Sequence, residues 1–253
     1  METDKNNNIY EYDFAILYFG LTRSLKNNYK SHQEHFFDIL NKNGLSYRVF
    51  VHTWKTKNEF INWKKINNSS NEENKDYNLL NPYEYKIESQ DEFIDNVNFS
   101  DFFYENLWNI NGHNYNGEWI PQLIKNHLCA LESKKRGFEM IEENIKKENI
   151  KYKNVIFIRP DVEIYDDLPL SKIIFQEKTI NIPNKDHYEG YNDRFAIMKY
   201  EDAHFYGKRI NEIAEFRKNN GRIVSEKYVK FIIKKYNLQV NEIKFDFEIK
   251  RHA

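Results

Sequence analysis

The chain has 253 residues, with 38 Lys or Arg against 39 Asp or Glu, a formal charge of −1 and a mean hydropathy of −0.86. That balance excludes a general basic footprint for nucleic acid or an anionic membrane, while 40% hydrophobic and 16% aromatic residues exclude global disorder. Cys129 is the only cysteine, so no intrachain disulfide can form and nothing requires an oxidising compartment.

The length exceeds a typical ~150-residue domain but suits one α/β domain, so the reading is a single domain over residues 1–253. The start, Met1–Asp13, is polar and has no apolar stretch of the kind a secretory signal needs. No apolar run approaches the ~20 residues of a membrane span. The expectation is a cytoplasmic protein, in the host cytoplasm if viral, since abundant Asn, Lys and Ile point to an AT-rich genome such as that of a low-GC bacterium or a large DNA virus.

In chain order, Phe14–Phe19 is continuously apolar, ends at Gly20 and reads as a central parallel strand. Ser31–Leu40 carries Phe36, Phe37 and Leu40 at helical spacing, and Val49–Val51 forms a second strand closing on His52-Thr53-Trp54. Strand, helix and strand in this order predict a βαβ unit. The polar run Asn67–Asp76 predicts an exposed loop. The aromatic stretch Tyr83–Trp108 reads as core or lid, or as a sugar-stacking platform, and Asn111–Gly117 reads as a further loop. From Trp119, residues Ile120, Ile124, Leu128, Leu131, Phe138, Ile141 and Ile145 predict one long helix, with Pro121 in its first turn and an interruption at Gly137. Cys129 sits inside it as a small buried side chain. The strand Val155–Ile158 follows and ends at Arg159-Pro160. Helices resume after Tyr200, with Ala203, Tyr206, Ile210 and Ile213 on one face, and again from Ser225, with Tyr228, Ile232 and Tyr236. No internal repeat is visible.

Asp161 follows the third apolar strand, where ligands of open α/β sheets bind. Pro160 keeps the segment extended, and residues two apart in extended backbone share a side, so Asp161 and Glu163 are expected to face one way. Two carboxylates so placed repel unless a proton or cation joins them, which makes the pair candidate ligands for Mn²⁺ or Mg²⁺ against a substrate diphosphate. Residues Lys199–Ala253 hold 13 Lys or Arg against 8 Asp or Glu, a surplus that reads either as a solvated face or as one turned to phosphate.

Arg159-Pro160-Asp161-Val162 resembles the D-x-D region of GT-A glycosyltransferases, in particular small viral and bacterial sugar transferases with an Arg-Pro-Asp-Val motif. Asn192-Asp193-Arg194-Phe195-Ala196-Ile197 ahead of a helix containing Tyr206, the helix start Ser225-Glu226, and the turn Gly20-Leu21-Thr22-Arg23 extend the similarity. Glu163 departs from it, standing where the family has a second Asp. The resemblance implies a GT-A-like, Rossmann-like α/β fold with a mostly parallel sheet flanked by helices. A nucleotide-binding half would cover about residues 10–165 and an acceptor-binding half about residues 166–253. It also implies a UDP- or GDP-linked sugar donor, a glycan or other hydroxyl acceptor, and a donor site of Tyr18, Gly20, Thr22, Arg23, His52, Thr53, Arg159, Asp161 and Arg194. Tyr18 or Phe19 would lie near the base, Asp161 and Glu163 on the metal, and Asp193 on the acceptor hydroxyl as catalytic carboxylate, with Glu226 second. A late histidine on the metal would be His252. Each residue also has a plainer reading: Arg23 as a surface arginine, His52 as a structural histidine, Asp193 as a loop partner of Arg194, and Glu226 as an acid favoured by a helix dipole.

Two other classes compete. A non-catalytic sugar-binding or assembly module would use the same aromatics and loops. A metal-dependent nuclease would combine Pro160-Asp161 with Glu242-Ile243-Lys244 or Glu248-Ile249-Lys250, although the chain lacks the basic surface for a phosphate backbone.

Overall fold

The computed structural model describes residues 9–56, 60–61, 66–67, 75–98, 102, 121–219 and 223–250. The polar run Asn67–Asp76, most of the second half of Tyr83–Trp108, the loop Asn111–Gly117, Trp119 and His252 thus fall largely or wholly outside the described residues.

Strands β1 (Glu11–Phe19) and β2 (Tyr47–Lys55) pair in parallel, with Leu17 opposite Phe50, and are joined through α1 (Leu25–His32), a π-helical turn at Gln33–Phe37 and α2 (Asp38–Lys42). This is the βαβ unit expected from the amino-terminal pattern. The short strands β3 (Phe60–Ile61) and β4 (Ile66–Asn67) form a separate hairpin, and β5 (Glu84–Ser89) adds to the outer edge of β2 ahead of α3 (Gln90–Asn96). Helix α4 (Pro121–Glu148) then leads into β6 (Lys151–Ile158), which pairs in parallel with the other side of β1. The strands β7 (Val162–Ile164), β8 (Thr179–Pro183) and β9 (Phe195–Lys199) precede α5 (Tyr200–Gly207), α6 (Ile213–Lys218) and α7 (Ser225–Lys235), and β10 (Gln239–Ile243) and β11 (Phe247–Ile249) finish the described chain.

The result is a mixed α/β architecture around one seven-stranded sheet of order β10-β8-β9-β6-β1-β2-β5, in which β9 alone runs antiparallel to its neighbours. Phe14 to Phe19 are each at most 2% exposed, because alternate residues feed two separate cores. Phe14, Ile16 and Tyr18 pack with Phe36, Phe37 and Leu40 on one face. Ala15, Leu17 and Phe19 pack with Phe138, Ile141, Tyr206 and Val229 on the other.

Helix α4 does not break at Gly137, contrary to the expectation from the residue type. A Cβ there would lie 2.3 Å from Leu17 Cδ1, so the glycine lets the helix press directly onto β1. The chain builds outward from β1 to β2 and β5, then crosses back to place β6 on the opposite side. The β1/β6 boundary is therefore the point where strand order reverses, and the crevice outside the carboxyl ends of those strands is where such sheets receive ligands. Among the described residues no helix is long and apolar enough to cross a membrane.

Candidate functional site

A cavity of about 1130 Å³ opens at that boundary. The end of β1 contributes Phe19, Gly20, Leu21 and Arg23, and the end of β6 contributes Arg159, Pro160 and Asp161. The segment before β9 supplies Asp193 and Arg194, the start of α7 supplies Ser225 and Glu226, and α4 presents His127 from the side. Gly20, Arg23, Arg159, Asp161, Asp193, Arg194 and Glu226, separate in sequence, thus share one cavity.

Tyr18, Thr22, His52 and Thr53 do not line it; all four are at most 1% exposed and bonded within the core. His32 Nε2 lies 2.8 Å from the Val162 carbonyl, which can only accept, so that nitrogen carries the proton and Nδ1 receives the Tyr18 hydroxyl at 2.9 Å. Burial pushes the His32 ring down to about 4, keeping it neutral. Thr22 and Thr53 meet each other at 3.4 Å. His52 sits between Ser133 and Glu88, 2.8 Å from each, and Ser133 also accepts the Gly20 N–H, so this histidine fastens the turn after β1 to α4. These four side chains stand at or beside strand ends, as expected, but the pleat turns them inward.

The expected carboxylate pair separates. Asp161 is 7% exposed and takes a two-point fork from Arg159, Nε to Oδ1 at 2.8 Å and Nη2 to Oδ2 at 2.6 Å. Glu163, on β7, is absent from the cavity lining; it accepts the Tyr165 hydroxyl at 2.9 Å and lies 3.9 Å from Lys250 Nζ. No group of three or more His, Cys, Asp or Glu able to hold a metal occurs among the described residues. The D-x-E spacing places Glu163 across from Glu248 in the β7/β11 ladder. The same ladder lets the Lys250 N–H donate to the Asp161 carbonyl at 2.9 Å. Glu248 reaches the cavity, whereas Glu242 on β10 does not.

A second carboxylate pair stands out instead. Glu226 is 5% exposed in the first turn of α7, with the Ser225 hydroxyl donating to Oε2 at 2.9 Å. Burial lifts its carboxyl, and the negative charge of Asp193 lifts it further, to about 7. Burial would raise Asp193 as well, but Arg194, Arg159, His127 and Lys134 outweigh it and hold that carboxyl below its ordinary value. Two neighbouring acids pushed apart in this way can divide labour, one ionised and one ready to exchange a proton near neutral pH.

The backbone around Asp193 is fixed from several sides. Asn192, fully buried, accepts the Arg194 N–H at 2.9 Å and donates to the Lys185 carbonyl at 3.1 Å. The Tyr206 hydroxyl donates to the Asp193 carbonyl at 3.1 Å, and the Arg159 N–H donates to the Arg194 carbonyl at 3.1 Å.

Beneath the cavity lies a residue that sequence reasoning passed over. Lys134 is 1% exposed, with its ammonium 4.1 Å from the Phe19 ring centre and 4.2 Å from that of Tyr206. Burial, with Arg209 adding, holds it well below its usual value, and its remaining charge acts on Asp193. A signal existed: His127, Lys134 and Ile141 recur every seven positions, which puts two polar side chains on a helix face that is otherwise core.

No curated protein matches the chain. A solved structure of a Drosophila beta-1,4-galactosyltransferase 7 variant in complex with manganese, UDP-Gal and xylobiose is similar at 11% identity and a TM-score of 0.42, covering 96% of this chain and 72% of that one. The mouse xyloside xylosyltransferase 1, apo form, is similar at 8% identity and a TM-score of 0.41, covering 92% of this chain and 85% of that one. At such identities no residue here inherits a role from either. The family described as "Domain of unknown function (DUF7796)" matches residues 121–252, more than half of the chain and the part that carries Arg159, Asp161, Asp193 and Glu226, and the protein belongs to that family.

Proposed function

We propose that the protein is a glycosyltransferase that moves a sugar from a UDP- or GDP-linked donor to a hydroxyl acceptor. The observation that carries this reading is the Asp193/Glu226 pair of opposed protonation in a cavity that also holds Arg23, Arg159 and Arg194 at the β1/β6 switch point. The donor diphosphate would lie toward Arg23 and Arg159, on the amino-terminal half, and the acceptor toward Asp193 and Glu226, on the carboxyl-terminal half.

In this scheme ionised Glu226 takes the proton of the acceptor hydroxyl. The acceptor oxygen bonds to the anomeric carbon while the bond from that carbon to the diphosphate oxygen breaks, and its electron pair leaves with the nucleoside diphosphate. The preference for the base therefore moves from Asp193 to Glu226. Asp193, held ionised by its arginines, raises Glu226 and orients the acceptor.

The resemblance implies Mn²⁺ or Mg²⁺, which would neutralise charge on the leaving diphosphate. The described residues do not fit such an ion: of the expected pair only Asp161 faces the cavity, and Arg159 engages both of its oxygens. No step above depends on it.

The nuclease reading gains one observation, because β11 brings Glu248 into the cavity beside Asp161. Against it, nothing in a nuclease needs the Asp193/Glu226 pair. The test is a panel of UDP- and GDP-sugars, each with and without Mn²⁺, scored for melting shift and for release of the nucleoside diphosphate, with supercoiled plasmid as control. One nucleotide sugar is expected to stabilise the protein and to be turned over, with turnover lost in Glu226→Gln. Plasmid nicking without any response to a nucleotide sugar would overturn the proposal.

A further inference from the structure

The loop between β8 and β9 forms one wall of the cavity through Lys185, Asp186, Tyr188 and Glu189. Three of its non-glycine residues hold left-handed backbone, with φ of 56° at Asp186, 39° at Tyr188 and 69° at Glu189. Such conformations persist only where surrounding contacts enforce them, and they cluster at ligand clamps. Here the enforcement is visible. Asp186 is paired with Arg194, Glu189 accepts Lys227 at 2.6 Å, and the Lys230 ammonium reaches the Glu189 carbonyl at 3.3 Å. Gly190 lies flat against the Glu226 backbone, and the Tyr191 N–H donates to the Glu226 carbonyl at 3.1 Å.

At the crest of this clamped loop Tyr188 is 61% exposed, the highest exposure among the large hydrophobic side chains of the described residues. Its hydroxyl meets Asp186 Oδ1 at 3.3 Å, and it belongs to none of the hydrophobic core clusters of the described residues. The fold therefore holds an aromatic face toward solvent, in a strained backbone, tied by two contacts to the residue assigned as base.

We infer that Tyr188 is a stacking platform for a pyranose ring of the acceptor, so that the acceptor is a carbohydrate and not an isolated hydroxyl on a polypeptide. A pyranose offers an apolar C–H face rimmed by hydroxyls. The Tyr188 ring lines the cavity together with Lys185, Asp186 and Glu189, which matches that chemistry with an apolar surface in a polar wall. The nucleobase is the poorer fit, because the arginines assigned to the diphosphate belong to the ends of β1 and β6 and the loop is fastened to Glu226. That the stacked sugar is the acceptor rests on the glycosyltransferase reading, but the platform itself can be tested separately.

The unaltered chain, Tyr188→Phe and Tyr188→Asn are compared on an oligosaccharide array, and the donor and acceptor KM are measured with a bound oligosaccharide. Asn tolerates left-handed backbone, so this variant removes the ring without forcing the loop to refold. Tyr188→Phe should match the wild type, while Tyr188→Asn should weaken array binding and raise the acceptor KM by about tenfold, with the donor KM nearly constant. Unchanged glycan binding in Tyr188→Asn, a rise in donor KM instead, or a wild type that binds no oligosaccharide would each overturn the inference. Array binding that is lost in Tyr188→Asn although no nucleotide sugar is consumed would sink the transferase reading and leave the platform standing.

Discussion

Arg159 reaches across Pro160 to grip both oxygens of Asp161, at 2.8 and 2.6 Å, at the carboxyl end of β6. A planar guanidinium matches a carboxylate at two points, and this arrangement closes the end of the strand with its charges compensated.

Because Asp161 is 7% exposed, Asp161→Asn is expected to destabilise the protein by about 1–3 kcal/mol, since a partly buried guanidinium loses its counter-charge. For a protein of this size that is a fall of several degrees in Tm, at roughly 2–4 °C per kcal/mol. Thermal melting of the variant measures it. An unchanged Tm would mean that the fork contributes nothing to stability.

The Glu226 carboxyl, raised from 4.5 to about 7, sets two pH signatures. Folding favours its neutral form, so its contribution to stability is present below about 4.5 and disappears as pH rises through about 7. Glu226→Gln should therefore melt above the wild type at pH 8, by an amount on the order of 3 kcal/mol, and alongside it at about pH 4. Turnover should rise with pH through about 7 as the base ionises, and Asp193→Asn should move that limb to lower pH by removing the neighbouring charge. Melting and rate profiles over the same pH range check both, and a limb that stays in place in Asp193→Asn refutes the coupling.

Gly190 has no room for a side chain. A Cβ there would sit 1.9 Å from the Glu226 carbonyl oxygen and 2.5 Å from the Lys227 nitrogen, both rigid backbone atoms. Gly190→Ala should cost about 1–3 kcal/mol by forcing the β8–β9 loop off α7. Gly137→Ala is the instructive contrast, since it meets only the Leu17 side chain, which can turn aside. Urea unfolding of the two variants compares them, and a Gly190→Ala variant as stable as the wild type would show that the loop does not bear on α7.

The sequence by itself determined the framework. Phe14–Phe19, Val49–Val51 and Val155–Ile158 are apolar at every position, a property of parallel strands covered on both faces that needs no knowledge of the partner. The helical faces after Pro121, Tyr200 and Ser225 were legible for the same reason, because periodicity is local. The motif-bearing residues Arg23, Arg159, Asp161, Asp193, Arg194 and Glu226, which the sequence singled out, line one cavity.

Only the tertiary structure decided what each of these groups can do. Whether a strand-end residue faces cavity or core depends on the pleat and on the helix laid over it, which is why Tyr18, Thr22, His52 and Thr53 are interior while Gly20 and Arg23 are not. Asp161 and Glu163 keep the right spacing, but β11, arriving from the far end of the chain, pairs with β7, and Glu163 is left outside the cavity lining. The high Glu226 carboxyl comes from burial and from a charge on another element, Asp193. Such a property belongs to distances between segments remote in sequence, and no local pattern encodes it.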